Sequence, residues 1–286
     1  MASTHTDGEA GIMGRVIVLG SINVDLETRV DVYPQPGEKV VARSLGRHAG
    51  GKGANQALAA RAQGVDVVMV GAVGDDDAGR ASLNRLHARG IKLEVERVPR
   101  TPTGHAIVLT DGHSNAIAVV PGANAAVDAR ALRNIRSLGG DDILLTQLET
   151  PAATVAEAVR YAKRYGVRVV LNLAPFSVLP SDVIAMADPL IIPAADLEAF
   201  RATGAVPVSL VVLRGKEGVE WDGVLHPGPI VPDADVVDTI GASDALIGTL
   251  VGALARGASN AAAARLGLEA AAENVTRAGA QLDPRL

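Results

Sequence analysis

Short apolar segments alternate with helical segments along most of this 286-residue chain, and this alternation constrains the fold more than any other feature. The predicted strands are residues 15–20, 65–70, 142–148, 167–171, 188–192 and 209–213. The predicted helices are residues 52–63, 78–89, 151–165, 245–256 and 260–278. Gly64, Gly90 and Gly166 directly follow three of these helices, at the position where a left-handed residue commonly ends a helix. Strands that alternate with helices favour an α/β fold in which a mostly parallel central sheet is covered by helices on both faces.

Two segments interrupt this alternation and predict short β pieces outside the main sheet. Residues 26–47 contain prolines and alternate in polarity, and residues 103–121 show a similar pattern. A strand-helix unit separates the two segments along the chain, so they can pair in space. We expect a small β-sheet lid, from about residues 24–48 and 97–120, on a single α/β domain that spans residues 15–286.

Composition and charge exclude several classes of protein. A net charge of −5, a pI near 5.7 and an aromatic content of 2% provide neither a basic surface for nucleic acid nor stacking platforms for single strands. The absence of cysteine excludes disulfides, thiolate metal ligands and a cysteine nucleophile. No apolar run reaches the roughly 18 to 20 residues that cross a bilayer, and residues 1–14 lack the features of a secretory signal. We therefore expect a disordered tail over residues 1–14, a cytoplasmic location, and no nucleic-acid or membrane partner.

The segment 238–244, Asp-Thr-Ile-Gly-Ala-Ser-Asp, ends a predicted loop and opens directly onto an apolar helix. The first N–H groups of a helix have no internal partners and lie at the positive end of its dipole, so this turn can hold an anion such as a phosphate. Asp244 could then take a proton from a hydroxyl group beside that anion. The alternative is purely structural, because Ser and Asp are also the residues that cap helices.

A second candidate site is the glycine-rich segment 48–55, His-Ala-Gly-Gly-Lys-Gly-Ala-Asn. Its Gly-x4-Gly-Lys spacing begins like a phosphate-binding loop, but Gly53 stands where Ser or Thr would bind magnesium. Glycines at a helix start let backbone approach a ligand closely, and Asn55 can both donate to and accept from a sugar hydroxyl. Asn23 and Asp25 follow the first strand, and ligands of open α/β sheets bind beyond the carboxyl ends of strands. In both places a structural turn is the alternative.

Four motifs in this order and at this spacing resemble the ribokinase-type (phosphofructokinase-B) family of carbohydrate kinases. They are residues 20–25 (GSINVD), 50–57 (GGKGANQA), 147–151 (QLETP) and 238–244 (DTIGASD). Residues 172–175 and 277–281 also look like family segments, and the resemblance covers nearly the whole chain from about residue 15 to residue 281. It implies a ribokinase-like fold with a β lid over the sugar, and phosphoryl transfer from ATP.

The resemblance also implies a role for individual residues. Asp244 would be the general base, and the backbone of Gly241, Ala242 and Ser243 would form an anion hole for the moving phosphate. The residues that would bind the sugar hydroxyls are Asn23, Asp25, Gly50, Gly51, Lys52, Asn55 and Glu149. The residues that would lie at the nucleotide are Asn172, Arg214, Gly215 and Gly218.

The family further implies two metal cofactors and an oligomeric state. A monovalent cation, K⁺, would sit behind the anion hole, near Asp238, Ile240, Ala278 and Gly279. Mg²⁺ would accompany ATP, and the lids of two copies would pair in a homodimer. The family usually supplies an Asn-x-x-Glu motif for magnesium and phosphate, and the matching stretch here is residues 193–198, so Asp196 or Glu198 is the expected substitute.

Other differences from the family also affect the half of the site that would bind the nucleotide. Ser243 stands where the family has glycine, which is tolerable only if its φ is negative. The segment 204–209 is too short for the usual helix, and the chain ends at Leu286, where a final helix is usual. We expect an ATP-dependent kinase that phosphorylates a primary hydroxyl of a ribose-like pentose. The alternatives are a nucleoside or other sugar kinase of the same family, or a sugar-binding or regulatory protein with a degraded nucleotide site.

Overall fold

The computed structural model of the protein describes residues 14–111, 115–135, 138–277 and 279–281. Of the expected N-terminal tail, residues 1–13 lie outside the described residues. Gly14 is buried, and its N–H donates to the carbonyl of Ala255 over 3.2 Å. Among the described residues, no helix is both long enough and apolar enough to span a membrane.

A nine-stranded sheet forms the centre of the molecule, in the strand order β13-β12-β11-β10-β9-β8-β1-β4-β5. Its strands are β1 (Val16–Leu19), β4 (Val67–Gly74), β5 (Lys92–Val98), β8 (Ile143–Thr146), β9 (Arg168–Asn172), β10 (Leu190–Pro193), β11 (Leu210–Leu213), β12 (Val219–Trp221) and β13 (Val224–His226). Neighbouring strands run parallel from β5 to β11, and β12 and β13 add an antiparallel edge. The predicted mostly parallel sheet is confirmed.

Helices cover both faces of this sheet. They are α1 (Lys52–Ala62), α2 (Asp77–Ala88), α3 (Ala152–Arg164), α4 (Ser181–Ile184), α5 (Leu197–Arg201), α6 (Ala242–Ala255) and α7 (Asn260–Asn274). Side chains of β1 alternate between two hydrophobic layers: Val16 and Val18 pack with α1, α2, α6 and α7, whereas Ile17 and Leu19 pack with α3, α4 and α5. A strand buried on both faces must be apolar throughout, which explains the short apolar runs of the sequence.

Close packing of α1 against α6 depends on glycine. A Cβ atom on Gly248 would lie 2.3 Å from the carbonyl oxygen of Gln56, and one on Gly252 would lie 2.8 Å from that of Ala60. Real side chains do not reach such distances, so glycine at these two α6 positions allows the helix backbones to approach. This contact brings the first turn of α1 to the first turn of α6.

A second sheet of four strands forms the lid, in the order β3-β2-β6-β7. The strands are β2 (Asn23–Arg29), β3 (Ser44–Gly50), β6 (Gly104–Thr110) and β7 (Asn115–Val120). The β2/β3 and β6/β7 pairs are antiparallel, and β2 and β6 join them as a parallel pair. The two predicted insertions therefore do pair in space, although residues 97–98 end β5 of the main sheet and do not enter the lid.

Candidate active site

The candidate site lies where the lid joins the carboxyl end of the central sheet. Asn23 begins β2 a few residues beyond the end of β1, and it pairs in register with Gly50 of β3 and Gly104 of β6. A Cβ atom on Gly50 would lie 2.1 Å from a carboxylate oxygen of Asp25, and one on Gly104 would lie 2.3 Å from Oδ1 of Asn23. Glycine at these two lid positions leaves room for the polar side chains of β2.

Gly51 connects the lid to α1 with a backbone conformation that favours glycine. It has a φ of 92° and precedes the first residue of α1, Lys52. A Cβ atom there would lie 2.7 Å from the backbone nitrogen of Asn23, so a side chain would be strained as well as crowded. This turn carries Lys52 and Asn55 to the inner side of the lid.

Glu149 is held in the cleft by donors from three directions. Its Oε2 accepts hydrogen bonds from Oγ of Ser21 at 2.5 Å, from the backbone N–H of Lys52 at 3.2 Å and from Nδ2 of Asn23 at 3.5 Å. Oδ1 of Asn23 in turn accepts from Nδ2 of Asn124 at 2.7 Å. Both ends of the Asn23 amide are therefore fixed by the protein.

Five charged groups in and beside this cleft act on one another. The pKa of Asp25 is raised from 3.8 to about 7, chiefly by burial. The negative charges of Glu149, Asp244 and Glu27 also raise that pKa, and the ammonium of Lys52 opposes them. The pKa of Lys52 is raised, most strongly by Asp244, although burial opposes the rise. Hydrogen bonds from the lid and α1 to Glu149, and from α1 to Asp244, likewise bring the lid, α1, the segment after β8 and α6 into a single site.

Asp244 lies in the first turn of α6, which begins without a capping side chain among the described residues. The residue at the N-cap is Gly241, with a φ of 79°, and a Cβ atom there would lie 2.5 Å from Cα of Ala280. Ser243 and Asp244 follow inside the helix, so neither is the N-cap that the structural interpretation of this segment requires. Arg100 and Asp222 are the described non-glycine residues with positive φ, so Ser243 avoids the cost expected for a serine with that backbone.

Asp244 is almost completely buried, with 4% exposure of the residue. Its Oδ1 accepts a hydrogen bond from Nε2 of Gln56 at 2.8 Å, and its Oδ2 accepts from Nδ2 of Asn55 at 3.2 Å. One lone pair on each oxygen remains for a ligand, since a carboxylate oxygen accepts two hydrogen bonds. The carboxylate is therefore oriented by the protein and still able to take a proton.

The residues expected at the nucleotide have different surroundings. Asn172 ends β9, and its buried Oδ1 has no hydrogen-bond partner among the described residues. Arg214 forms an ion pair with Glu220 at 2.5 Å. Gly215 and Gly218 have positive φ values of 57° and 114° and build the tight turn between β11 and β12.

The two carboxylates expected at magnesium differ in position. Asp196 follows β10 directly, at the carboxyl edge of the sheet, and is partly buried. Glu198 lies in α5 with 91% of its side chain exposed, 3.5 Å from Arg201 in an ion pair. Within the described part of the chain, no three His, Asp or Glu side chains converge on a metal position.

Asp238 ties the turn before α6 to the C-terminal segment. Its Oδ1 accepts from the backbone N–H of Ile240 and its Oδ2 from that of Gly279, both at 2.9 Å. These contacts bring three of the four residues expected at the monovalent cation together. Ala278 lies outside the described residues.

Several residues that hold the site together were not selected from the sequence. They are Ser21, Gln56, Asn124, Gln147 and Gln281. Ser21, Gln56 and Gln147 do lie inside three of the motifs, which was the available signal. Asn124 follows the lid in a short 3-10 helix, and no local pattern singles it out.

The fold and the site together define a class of protein. A cleft that holds three acidic side chains, one lysine and the uncapped start of a helix suits binding of a polyhydroxylated molecule and transfer of an anionic group to it. This is the arrangement of a small-molecule kinase.

Comparison with known proteins identifies the family. Residues 13–285 match the pfkB family of carbohydrate kinases. The chain is 38% identical over 284 residues to the ribokinase of Bacillus subtilis, covering 94% of this chain and 95% of that protein. It is 33% identical over 289 residues to the ribokinase of Haemophilus influenzae, covering 92% and 93%. The structure of Arabidopsis thaliana ribokinase complexed with ribose and ATP superposes with a TM-score of 0.80 at 27% identity, covering 94% of this chain and 95% of that one.

The chain therefore belongs to the pfkB family of carbohydrate kinases, and it is an ATP-dependent carbohydrate kinase. The family resemblance and the enzyme class predicted from the four sequence motifs are both confirmed.

Proposed function

We propose that this kinase transfers the γ-phosphoryl group of ATP to the primary hydroxyl of ribose or a closely similar pentose. The observation that carries the proposal is the position of Asp244, a buried carboxylate in the first turn of an uncapped helix, beside Asp25, Lys52 and Glu149. The similarity to ribokinases over nearly the whole chain supports the choice of sugar.

The sugar would be held by carboxylate and amide groups of the lid and of α1. Asp25 and Glu149 can each accept from adjacent hydroxyls, and Asn55 keeps one hydrogen on Nδ2 and one lone pair on Oδ1 beyond its bonds to Asp244 and Gln281. A sugar that lacks one of these hydroxyls would leave a buried polar group unpaired, which gives strong discrimination. Gly50, Gly51 and Lys52 complete the binding surface in this proposal.

Asp244 would act as the general base. It accepts the proton of the sugar hydroxyl as that oxygen attacks the γ-phosphorus of ATP, and the bond from phosphorus to the bridging oxygen of ADP breaks. The backbone N–H groups of Gly241, Ala242 and Ser243 would stabilise the negative charge on the moving phosphoryl group, with that of Ala242 also donating to the carbonyl of Thr239 at 3.4 Å. Such positioning and charge stabilisation are the main sources of rate in phosphoryl transfer.

The nucleotide and the metal ions would be held by the other half of the site. Asn172 is a candidate for the nucleotide because its buried Oδ1 lacks a partner among the described residues. Arg214, Gly215 and Gly218 would shape the loop beside it. Mg²⁺ bound with ATP would neutralise charge on the phosphates, and Asp196 suits that ion better than Glu198, which extends into solvent.

The turn formed by Asp238, Ile240 and Gly279 would carry a monovalent cation such as K⁺, together with Ala278. Support comes from the hydrogen bonds that draw this turn together directly behind the start of α6. A cation there would order Gly241 and so the amides that face the phosphate.

The lid would pair with the lid of a second copy in a homodimer. Large apolar side chains on the lid are exposed, with Leu45 at 76%, Ile117 at 56% and Val119 at 48%. Strand β7 is an edge strand and is exposed along its whole length. Monomeric proteins seldom leave such an apolar strand edge uncovered. A shift from dimer to monomer in Ile117→Lys, measured by light scattering, tests this part of the proposal.

Measuring ADP release with a panel of pentoses, hexoses and nucleosides tests the substrate, with Asp244→Asn as control. We expect ribose to give the highest kcat/KM. A nucleoside or another sugar as the best substrate would refute the ribose assignment and retain the reaction. Measurable ribose binding without turnover of any substrate would favour a sugar-binding protein with a degraded nucleotide site, the alternative suggested by the altered stretch 193–198.

A further inference from the structure

Two chains of side-chain hydrogen bonds, buried except at the partly buried Arg85, end on the two oxygens of Asp244. In the first chain, Nε2 of Gln147 donates to Oε1 of Gln56 at 2.7 Å, and Nε2 of Gln56 donates to Oδ1 of Asp244 at 2.8 Å. Both glutamines have 0% exposure. They lie at the end of β8 and in α1, so this chain crosses from the central sheet to α6.

The second chain reaches the other oxygen from the opposite side. Nε of Arg85 donates to Oε1 of Gln281 at 2.8 Å, and Nε2 of Gln281 donates to Oδ1 of Asn55 at 2.7 Å. Nδ2 of Asn55 then donates to Oδ2 of Asp244 at 3.2 Å. This chain links α2 and the C-terminal segment to the same carboxylate.

The direction of both chains follows from chemistry. An arginine can only donate hydrogen bonds and an ionised carboxylate can only accept them. Each amide between these two ends must therefore turn its oxygen towards the arginine and its nitrogen towards Asp244. The first chain has the same direction, since Gln56 must also present its nitrogen to the carboxylate.

The chains act against a competing attraction. Asp244 is the largest cause of the raised pKa of Lys52, so the two charges attract each other across the cleft. Among the ion pairs of the described residues, however, Lys52 forms none. Donors on both oxygens prevent the carboxylate from rotating towards the ammonium and losing its free lone pairs.

We propose that Gln56, Gln147, Gln281 and Arg85 are positioning residues that hold Asp244 as an oriented proton acceptor. Gln56 and Gln147 have no exposed surface with which to touch a sugar, so their effect on the reaction passes through Asp244. This inference rests on the proposed role of Asp244 as general base.

Two glycines give room for this arrangement. A Cβ atom on Gly20 would lie 2.1 Å from Oε1 of Gln147, and one on Gly248 would lie 2.3 Å from the carbonyl oxygen of Gln56. Gly20 therefore leaves room for the side chain of Gln147, and Gly248 lets α6 approach the backbone of α1 at Gln56. The close contact of α1 and α6 thus also serves to bring Gln56 within reach of Asp244.

Glutamine-to-methionine substitutions test the proposal, because methionine keeps the length of the side chain and removes the donor. Gln56→Met removes a hydrogen bond to the buried carboxylate of Asp244, and Gln281→Met removes the one that orients Asn55 towards it, so we expect each to lower kcat by roughly 10- to 100-fold. The KM for ribose, or for whichever panel sugar is turned over fastest, should stay within about threefold. Gln56→Glu should lower kcat further than Gln56→Met, because it sets a second carboxylate against Asp244.

Gln63→Met is the matched control, because Gln63 directly follows α1, two turns beyond Gln56, and the kcat of this variant should equal that of the wild-type kinase. Thermal unfolding of every variant establishes that it is folded. Because Gln56 and Gln281 belong to different hydrogen-bonded chains, the second variant still tests the proposal if the first does not fold. Folded Gln56→Met and Gln281→Met with wild-type kcat, or with a raised KM alone, would overturn the positioning role. If Asp244→Asn itself kept wild-type turnover, the proposed role of Asp244 as general base would be refuted instead, so the experiment distinguishes the failure of the two proposals.

Discussion

Substitution of Asp25 by asparagine should change stability in a way that depends strongly on pH. The pKa of Asp25 is about 7 in the folded protein, against an ordinary value of 3.8, chiefly because the side chain is buried. Between these two pH values the unfolded chain has already lost the proton and the folded protein still holds it. Folding therefore becomes less favourable as pH rises through this window, and the full cost is present above pH 7.

The size of the effect follows from the two pKa values. Each pH unit within the window costs about 1.4 kcal/mol, so the ionised Asp25 destabilises the sugar-free protein on the order of 4 kcal/mol at pH 8. About 1.5 kcal/mol of this cost is already present at pH 5, because the unfolded chain has by then released its proton. Asp25→Asn removes the charge, and its stabilising effect should be about 2.5 kcal/mol larger at pH 8 than at pH 5.

Urea unfolding of both proteins without sugar, at pH 5 and at pH 8, measures this difference directly. Thermal unfolding should agree, with a gain in Tm that is larger at pH 8 by roughly 6 °C or more. Ribose affinity gives a second readout, since hydroxyl donors prefer the carboxylate. The KM for ribose should fall as pH rises from 6 to 8 in the wild-type kinase, and should be high and independent of pH in Asp25→Asn. Equal stabilisation at both pH values would refute the reasoning.

Three further substitutions test the start of α6, the proposed sugar site and the structural core separately. Gly241→Ala should lower kcat roughly tenfold or more and lower the free energy of unfolding by about 1–3 kcal/mol, because the left-handed backbone and the 2.5 Å approach to Ala280 exclude a Cβ atom. Steady-state kinetics measure kcat and urea unfolding measures stability. An unchanged kcat would contradict this prediction. Glu149→Gln should raise the ribose Kd, measured by calorimetry, more than it lowers kcat, since we propose that Glu149, which Ser21 holds in the cleft, binds the sugar. An effect on kcat alone would count against that role. Asp142→Ala should cost about 3–5 kcal/mol in urea unfolding and leave kcat unchanged, because it breaks a largely buried ion pair at the opposite end of the sheet.

Local patterns predicted most of the central sheet. Apolar runs such as 167–171 can be recognised because a parallel strand buried on both faces admits few polar residues. Strand β5 was not predicted, because it pairs only with β4 at the sheet edge and its exposed and half-buried residues show no apolar run. Strands β12 and β13 were also missed, since each has three residues.

The start of α6 shows what sequence alone could not decide. Ser and Asp favour helix caps, so residues 238–244 supported a structural as well as a chemical interpretation. The backbone decides between the two interpretations: Gly241, in a left-handed conformation, takes the N-cap position, so Ser243 and Asp244 both lie inside the first turn of the helix. Nothing in the segment itself reveals that choice, because it depends on the contact with Ala280 from the end of the chain.

The hydrogen-bonded chains around Asp244 were equally hidden. Their bonds join residues separated by 91, 188, 189, 196 and 226 positions. Gln56 and Gln147 lie inside recognised motifs, yet a motif does not reveal which way an amide points. Packing of α1 against α6 determines that, and it becomes visible only in three dimensions.

Single-turnover ADP release and ribose binding by Asp244→Asn test the role of Asp244 most directly. Asparagine keeps the size of the side chain and removes its ability to take a proton. Loss of a general base should lower the rate of phosphoryl transfer by about 10²- to 10⁴-fold, while ribose affinity stays within about threefold of wild type. A variant that binds ribose normally and transfers the phosphoryl group at the wild-type rate would show that Asp244 is not the base.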